Sequence, residues 1–596
     1  MSTVPERSEV DEIYTWDLTD LFADDEAWES AYRETKGRVD ELSAYEGRVT
    51  ESAETLQEVI ELRESIMRSV SNVAAYARMR KDEDTTNQTY QALTARAHSL
   101  AATASSAASY IEPELQTLDR ETIDGYVDEN PELEPYEHYF DEVLRMKPHT
   151  RSAEIEALLA DLSEVTGAAG DVYNMLTNAD MEFPAVEDPG ENSQRITLSN
   201  FVKLQKHPNR TFRQRVYEAF YDEWEAHRNS IGAAYKNSVK ADEKLAAERR
   251  YDSAREASLD GPNIPVSVYD TLVETVEANL GVLHRHAELK RDALGVDELR
   301  MWDLYAPLAG GESPEIEYDQ AKQYVIDAVE PLGEAYQARM KDGLDSRWVD
   351  VYETANKQSG AYSGGTYDSQ PYILMNYQDD ITSMYTLAHE LGHSMHSELT
   401  SETQPYVYSG YEIFVAEVAS TVNEALLTNH LLEVIDDERF RRHVLDEYLE
   451  RFRSTLFRQT MFASFEHRAH ELENDGEALT PDRLDELYGN LKSMYYEPAD
   501  VDGRIDREWM RIPHFYRAYY VYQYATGISA ANAIVDRIER DGEPAAADYR
   551  EFLRSGSSAY PLELLETAGI DMSTPEPIEA TIETYDEMLA EFESLL

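Results

Sequence analysis

The side chains best placed to do chemistry in this chain lie in His389-Glu390-Leu391-Gly392-His393, an H-E-x-x-H arrangement. On a helix, residues four apart stand one above the other at about 5 to 6 Å, so two imidazoles reach a single ion. Glu390 is turned about 100° around the axis from the first histidine, which lets it contact a water on that ion without ligating the ion itself. The chemistry this points to is metal-assisted attack by water. In a chain with 15 histidines among 596 residues, chance yields about 0.05 such matches, so the surrounding residues must decide. Two histidines need a third protein donor, and with no cysteine present it must be His, Asp or Glu. His396 shares the histidine face, but three ligands on one straight helix spread over about ten ångströms, too far for bonds of about 2 Å. It is read as a residue behind the ligands or facing a substrate, and Glu398, near the helix end, as solvated. Glu417 is different. It interrupts the apolar run of Phe414, Val415, Val418 and Val422, where an unpaired carboxylate carries a desolvation cost that a divalent cation removes. Glu417 is therefore the expected third ligand, and Glu424, two turns on, is placed to orient a ligand histidine.

Those side chains need rigid supports. Met384, Leu387, Ala388, Leu391 and Met395 make an apolar stripe at helical spacing, with Thr382 or Ser383 available as N-cap. A second amphipathic helix is expected over Tyr411 to Leu432, carrying Glu417. Gln370 to Tyr377 (QPYILMNY) is the one convincing β-like stretch, preceded by the glycine-rich SGAYSGGTYDS. An extended peptide can add to a strand edge through main-chain hydrogen bonds, so this stretch is the expected site of substrate backbone recognition, with Gly360, Gly364 and Gly365 permitting close approach. Elsewhere three- and four-residue apolar spacing dominates, as in ERFRRHVLDEYLERFRSTLFRQTMFASFEHRAHELE, so the protein is expected to be mainly helical. Pro and Gly clusters at Phe183 to Asn192, Asp260 to Pro265 and Ala306 to Pro314 read as breaks. HRHAELKRD at His284 and HRAHE at His467 read as charged, solvated helix faces.

Composition excludes several classes. The 118 acidic and 54 basic side chains leave a formal charge of -64, which argues against nucleic acid as a partner. The absence of cysteine removes disulfides and thiolate metal sites. The 40 Tyr, 15 Phe and 6 Trp exclude a disordered acidic chain. No apolar leader and no run of eighteen apolar residues is found, so neither membrane nor secretion is expected, and the location is read as cytoplasmic. A charge this large strains a compact fold unless screening is strong, as at about 1 M salt, where the Debye length is about 3 Å. With lysine scarce and acids spread along the whole chain, a halophilic cytosol explains the composition.

HELGHSMH, FVAEVAS some twenty residues on, RWVDVYETANKQSGAYSGG before them, RIPHFYRAYYVYQYATG near the C-terminus and TWDLTDLF near Trp16 together resemble oligoendopeptidase F, of the thimet-oligopeptidase-like zinc peptidases. The resemblance implies a mainly α, two-lobed, zincin-type molecule with a deep substrate channel and a small β-sheet beside the active-site helix. It implies an N-terminal helical region over 1–200 and a zinc peptidase catalytic region over 201–596. The implied activity is a zinc-dependent endopeptidase acting on short, unstructured peptides, with one Zn2+ held by His389, His393 and Glu417 and with Glu390 as general base. In the family, a C-terminal His and several Tyr stabilise the tetrahedral oxyanion. His514 matches, with Tyr519 as first choice and Tyr522 as second among Tyr519, Tyr520, Tyr522 and Tyr524. The family's Gly-Gly pair between that His and the first Tyr is missing here. A zinc carboxypeptidase with the same helix motif, or a noncatalytic peptide-binding protein, are the alternatives, and the intact Glu390 argues against the second.

Overall fold

The computed structural model describes residues 4–190, 192–311 and 313–596. Helices make up most of the chain, as the periodicity requires, and the strands form three small sheets among the described residues. The chain divides into two compact units, each assembled from three separated segments. The first comprises Met1–Lys147, Ser313–Val434 and Ile534–Ile570, and the second Pro148–Glu312, Ile435–Ala533 and Asp571–Leu596.

In the first unit, α1 (Asp25–Leu42), α2 (Ala53–Glu83) and α3 (Gln88–Ala108) begin at N-caps Asp24, Ser52 and Asn87, whose side chains accept backbone N–H groups of the first turn. Their apolar faces meet in a core of Trp28, Val39, Ile66, Val70, Leu93 and Leu100, which also takes in Tyr372 and Leu374. Those two residues belong to a three-stranded sheet of β1 (Val349–Tyr352), β2 (Tyr362–Gly364) and β3 (Tyr372–Tyr377). The order is β1-β3-β2, with β1 parallel and β2 antiparallel to β3. A central strand buried on both faces needs no alternation, which is why YILMNY runs almost continuously buried.

This order corrects the expectation for substrate recognition. The strand QPYILMNY was to offer its edge, but β3 pairs with a neighbour on each side, Ile373 with both Val349 and Ser363. The glycine-rich segment before it supplies edge strand β2 instead.

From β3 the chain turns at Asp379, whose φ is 51°, into α4 (Ile381–Thr403). The cap is Asp380, accepting the Ser383 N–H at 2.8 Å, and not Thr382 or Ser383. The Ser383 hydroxyl in turn accepts the Gln378 N–H at 3.1 Å. α4 packs on β3, on α5 (Ile413–Val434) and on α6 (Glu543–Ser555). α5 departs from the amphipathic expectation, since it is apolar and buried on nearly every face. Gly392 allows it to lie close, because a Cβ there would come within 2.5 Å of the Ala419 carbonyl oxygen.

The second unit is organised by the helix Arg210–Glu248, which buries Phe212, Val216, Phe220, Trp224 and Tyr235. Phe220 stacks between Phe183 and Phe201, with centroids 4.8 and 3.8 Å away. The long segment from Glu438 is continuous through a π-helical turn, Phe452–Phe457, into Arg458–Asn474. The break at Phe183 to Asn192 does interrupt the helices, and a short strand there, Ala185–Glu187, pairs antiparallel with Ser193–Arg195. Two sequence readings fail in this unit. Lys290 is buried, its Nζ donating to the Leu304 carbonyl at 2.8 Å and to Glu450 Oε1 at 2.7 Å. His470 is buried as well, its Nδ1 2.9 Å from the Glu466 carbonyl.

Candidate metal centre

α4 and α5 bring three donors together. His389 Nε2 stands 3.2 Å from His393 Nε2 and 3.7 Å from Glu417 Oε2, and one ligand atom from each residue lies within 4.8 Å of the others. Two donors about 2.05 Å from one tetrahedral ion lie about 3.3 Å apart, so this spacing suits a small divalent cation. The donor chemistry agrees, since two imidazoles and one carboxylate are a common zinc set with room for a further ligand.

The helix pair that holds these donors is riveted at several points. Asn423 donates to the Ala388 carbonyl at 3.1 Å, and the Tyr385 and Thr428 hydroxyls meet at 2.7 Å. Behind the first histidine, Glu424 Oε1 lies 2.8 Å from His389 Nδ1. A carboxylate there keeps the proton on Nδ1 and leaves the Nε2 lone pair directed at the other donors.

Charge and burial conflict at this centre. Burial pushes the Glu390 and Glu417 carboxyls above their usual range. Burial, followed by the neighbouring His389, lowers His393 to about 3. For His389 burial acts downward, but the hydrogen bond and charge of Glu424 outweigh it and the ring lies above its ordinary value. A cation among these groups relieves the carboxylates and suits neutral imidazole donors.

Glu390 is on the same helix but turned away from the donor trio. It is buried, and the nearby backbone N–H of Ser363 in β2 works against that burial by favouring the carboxylate. The Ser363 hydroxyl also meets the Ser394 hydroxyl at 2.8 Å, so the edge strand is fastened to α4 beside Glu390. Sequence reasoning missed Ser363 because a serine among glycines carries no periodic signal.

The remaining sequence assignments divide. His396 faces no substrate, since it is 1% exposed and its ring stacks on Tyr411 at 3.8 Å, with burial lowering it to about 3. Glu398 is half-buried and not freely solvated, and burial raises it to about 7. His514, Tyr519 and Tyr522 lie in the second unit. Tyr519 is 2% exposed, with its hydroxyl 3.2 Å from His467 Nδ1, and Tyr522 packs on Tyr269 with centroids 5.2 Å apart. His514 is exposed and keeps other company. Its ring stacks on Tyr520 at 5.7 Å and meets Tyr524 edge-on at 5.9 Å.

Among the described residues no helix is long and apolar enough to cross a membrane. Residues 203–584 match Peptidase family M3, and residues 114–183 match Oligopeptidase F. The chain is 43% identical over 594 residues to Oligopeptidase PepF of Bacillus subtilis, covering 100% of this chain and 89% of that one. It is 40% identical to Group B oligopeptidase PepB of Streptococcus agalactiae, covering 99% and 98%. The crystal structure of oligoendopeptidase-F from Enterococcus faecium superposes with a TM-score of 0.74 at 35% identity, covering 96% of this chain and 99% of that chain. The clustered donors, the helical fold and these likenesses over the full length converge: the chain belongs to Peptidase family M3 and is a metallopeptidase of the oligoendopeptidase F type.

Proposed function

We propose that the protein is a zinc-dependent endopeptidase that hydrolyses internal bonds of short, unstructured peptides. The observation that carries this reading is the His389, His393 and Glu417 donor set with Glu424 behind it. A divalent cation held there would supply Lewis acidity, polarising an amide carbonyl and bringing the pKa of a coordinated water toward about 7.

The chain's own residues do the rest. Glu390 takes a proton from the attacking water onto its carboxylate and returns it to the departing amide nitrogen. Burial favours its proton-bound form, and the nearby Ser363 N–H favours the ionised one, which suits a group that gains and returns a proton. The free edge of β2 pairs with the peptide main chain, which needs no particular side chains. For the donors that stabilise the tetrahedral oxyanion, the candidates remain His514 with Tyr519 or Tyr522, as the resemblance implies; Tyr519 and Tyr522 are buried, while Tyr520 and Tyr524 pack beside the exposed His514.

The composition further supports a salt-rich cytoplasm as the setting, where screening allows a chain with charge -64 to stay compact. The test uses an internally quenched peptide blocked at both ends, assayed in molar salt alongside metal content. The wild type should cut it, Glu390→Gln should keep zinc and lose nearly all turnover, and Glu417→Ala should lose both. Cleavage only of peptides with a free C-terminus would favour the carboxypeptidase reading.

A further inference from the structure

Beside the metal centre, wholly within the first unit, is a cavity of about 270 Å³. At about 30 Å³ per water this is room for some nine waters, or for one long side chain. Its walls come from elements already placed at the reaction centre. Ser397, Glu398 and Ser401 of α4 line one side, and Gly364 and Gly365 another. Ser397 stands one turn beyond His393, about 6 Å along the axis. Gly364 directly follows Ser363, whose hydroxyl meets that of Ser394, the residue after His393, at 2.8 Å. A peptide laid along the outer edge of β2 advances about 3.3 Å per residue, so a side chain one or two positions from the bond at Glu390 reaches this cavity.

The lining mixes hydroxyls, with Ser71, Thr366 and Ser409 contributing further, and the apolar surfaces of Tyr367, Pro371 and Tyr406. Glu398 is the one carboxylate in the lining, and its charge is not fully matched. Its Oε1 is 4.0 Å from Arg339 Nη1, while that guanidinium lies 2.7 Å from Glu402 Oε2. Glu398 Oε2 is buried without a hydrogen-bond partner, so Oε1 is the oxygen left to meet an incoming cation. When Glu398 is ionised, the set of Arg339, Glu398 and Glu402 carries one surplus negative charge, and a bound cation favours that ionised form against the burial that raises it.

Resting on the endopeptidase reading above, we propose that this cavity is a substrate subsite for a basic side chain, with Glu398 as its counter-ion and the serine and threonine hydroxyls as further acceptors. A guanidinium has five donors, more than one carboxylate satisfies, and a wall of hydroxyl and carbonyl oxygens meets the remainder. Specificity then belongs to one peptide position, while main-chain pairing along β2 leaves the others permissive.

The experiment compares doubly blocked quenched peptides that carry arginine or its neutral isostere citrulline at each position around the scissile bond. Assays run in molar salt, where the general field of the acidic chain is screened within about 3 Å. The wild type should favour arginine over citrulline by about tenfold in kcat/KM at a single position, as expected of a charge-assisted contact. In Glu398→Gln that ratio should fall to within about twofold, and Ser401→Arg, which fills the cavity with its own cation, should remove it in the same way. Equal rates for both peptides at every position, or a preference that survives both substitutions, overturns the subsite while leaving the endopeptidase reading intact. A wild type that cuts none of the blocked peptides overturns both.

Discussion

Replacing Gly392 by alanine tests how closely α4 and α5 must lie for the donor set to exist. The added Cβ would sit 2.5 Å from the Ala419 carbonyl oxygen, 2.6 Å from Ser420 Cα and 2.8 Å from the Ala419 carbonyl carbon. Ordinary contacts between carbon atoms begin at about 3.5 Å, so α5 has to retreat by about 1 Å. All three obstacles are backbone, and no rotamer change relieves them. Glu417 lies less than one turn from Ala419 and Ser420 and retreats with them, whereas metal sites hold their ligand distances to about 0.2 Å. The expected cost in stability is about 1 to 3 kcal/mol from overpacking. Zinc affinity should fall by at least about 100-fold, because the third ligand is drawn out of range. Gly37→Ala on exposed α1, where the new methyl meets nothing within 4 Å, is the control and should stabilise by about 0.5 to 1 kcal/mol. The assay is zinc competition against a chromogenic chelator, with thermal unfolding of the metal-stripped proteins measured in parallel. A folded Gly392→Ala protein that keeps zinc within about threefold of wild type would refute the claim that this close approach sets the donor geometry.

Two further outcomes follow from groups behind and away from the centre. Glu424→Gln removes the charge that fixes His389 and should weaken zinc binding by about 10- to 100-fold while the fold persists, so unchanged affinity by the same competition would sink the orienting role. Glu466 is fully buried, accepts the Tyr519 N–H at 2.8 Å, and is raised by burial to about 8. Its folded form thus holds a proton that the unfolded chain releases near its ordinary 4.5, and it withdraws stability as pH climbs between those values, at up to about 1.4 kcal/mol per unit. Glu466→Gln cannot titrate, so denaturant titrations should find it close to wild type near pH 4.5 and more stable at pH 8.5; parallel profiles would contradict the burial argument.

The parts of this structure legible in the sequence are those written in local periodicity. The stripe on α4 announces its helix, and Glu417 stands out as a carboxylate in an apolar run, 3.7 Å from His389 Nε2 in the fold. What was illegible depends on partners distant in sequence. Lys290 and His470 look like surface charge until Glu450 and Asp242 are placed beside them, the latter 3.5 Å from His470 Nε2. β2 is hidden because three residues among glycines become a strand only when β3 offers them a ladder. The choice among the tyrosines depends on where the chain turns at Tyr519, which takes a left-handed φ of 54° that no spacing rule foresees for a tyrosine. The cap at Asp380 was missed by two or three residues, close to the usual uncertainty of a helix start.

The interleaving of segments has a consequence for biosynthesis. α6 forms the floor beneath α4, with the Thr400 hydroxyl donating to the Leu553 carbonyl at 2.9 Å, yet some 140 residues separate it from that helix along the chain. A nascent polypeptide emerging at about 5 to 20 residues per second therefore exposes the histidine helix for about 7 to 28 seconds before its support arrives. The donors on α4 and α5 are thus complete long before the floor that steadies them, so the rigidity of the site is a late product of maturation.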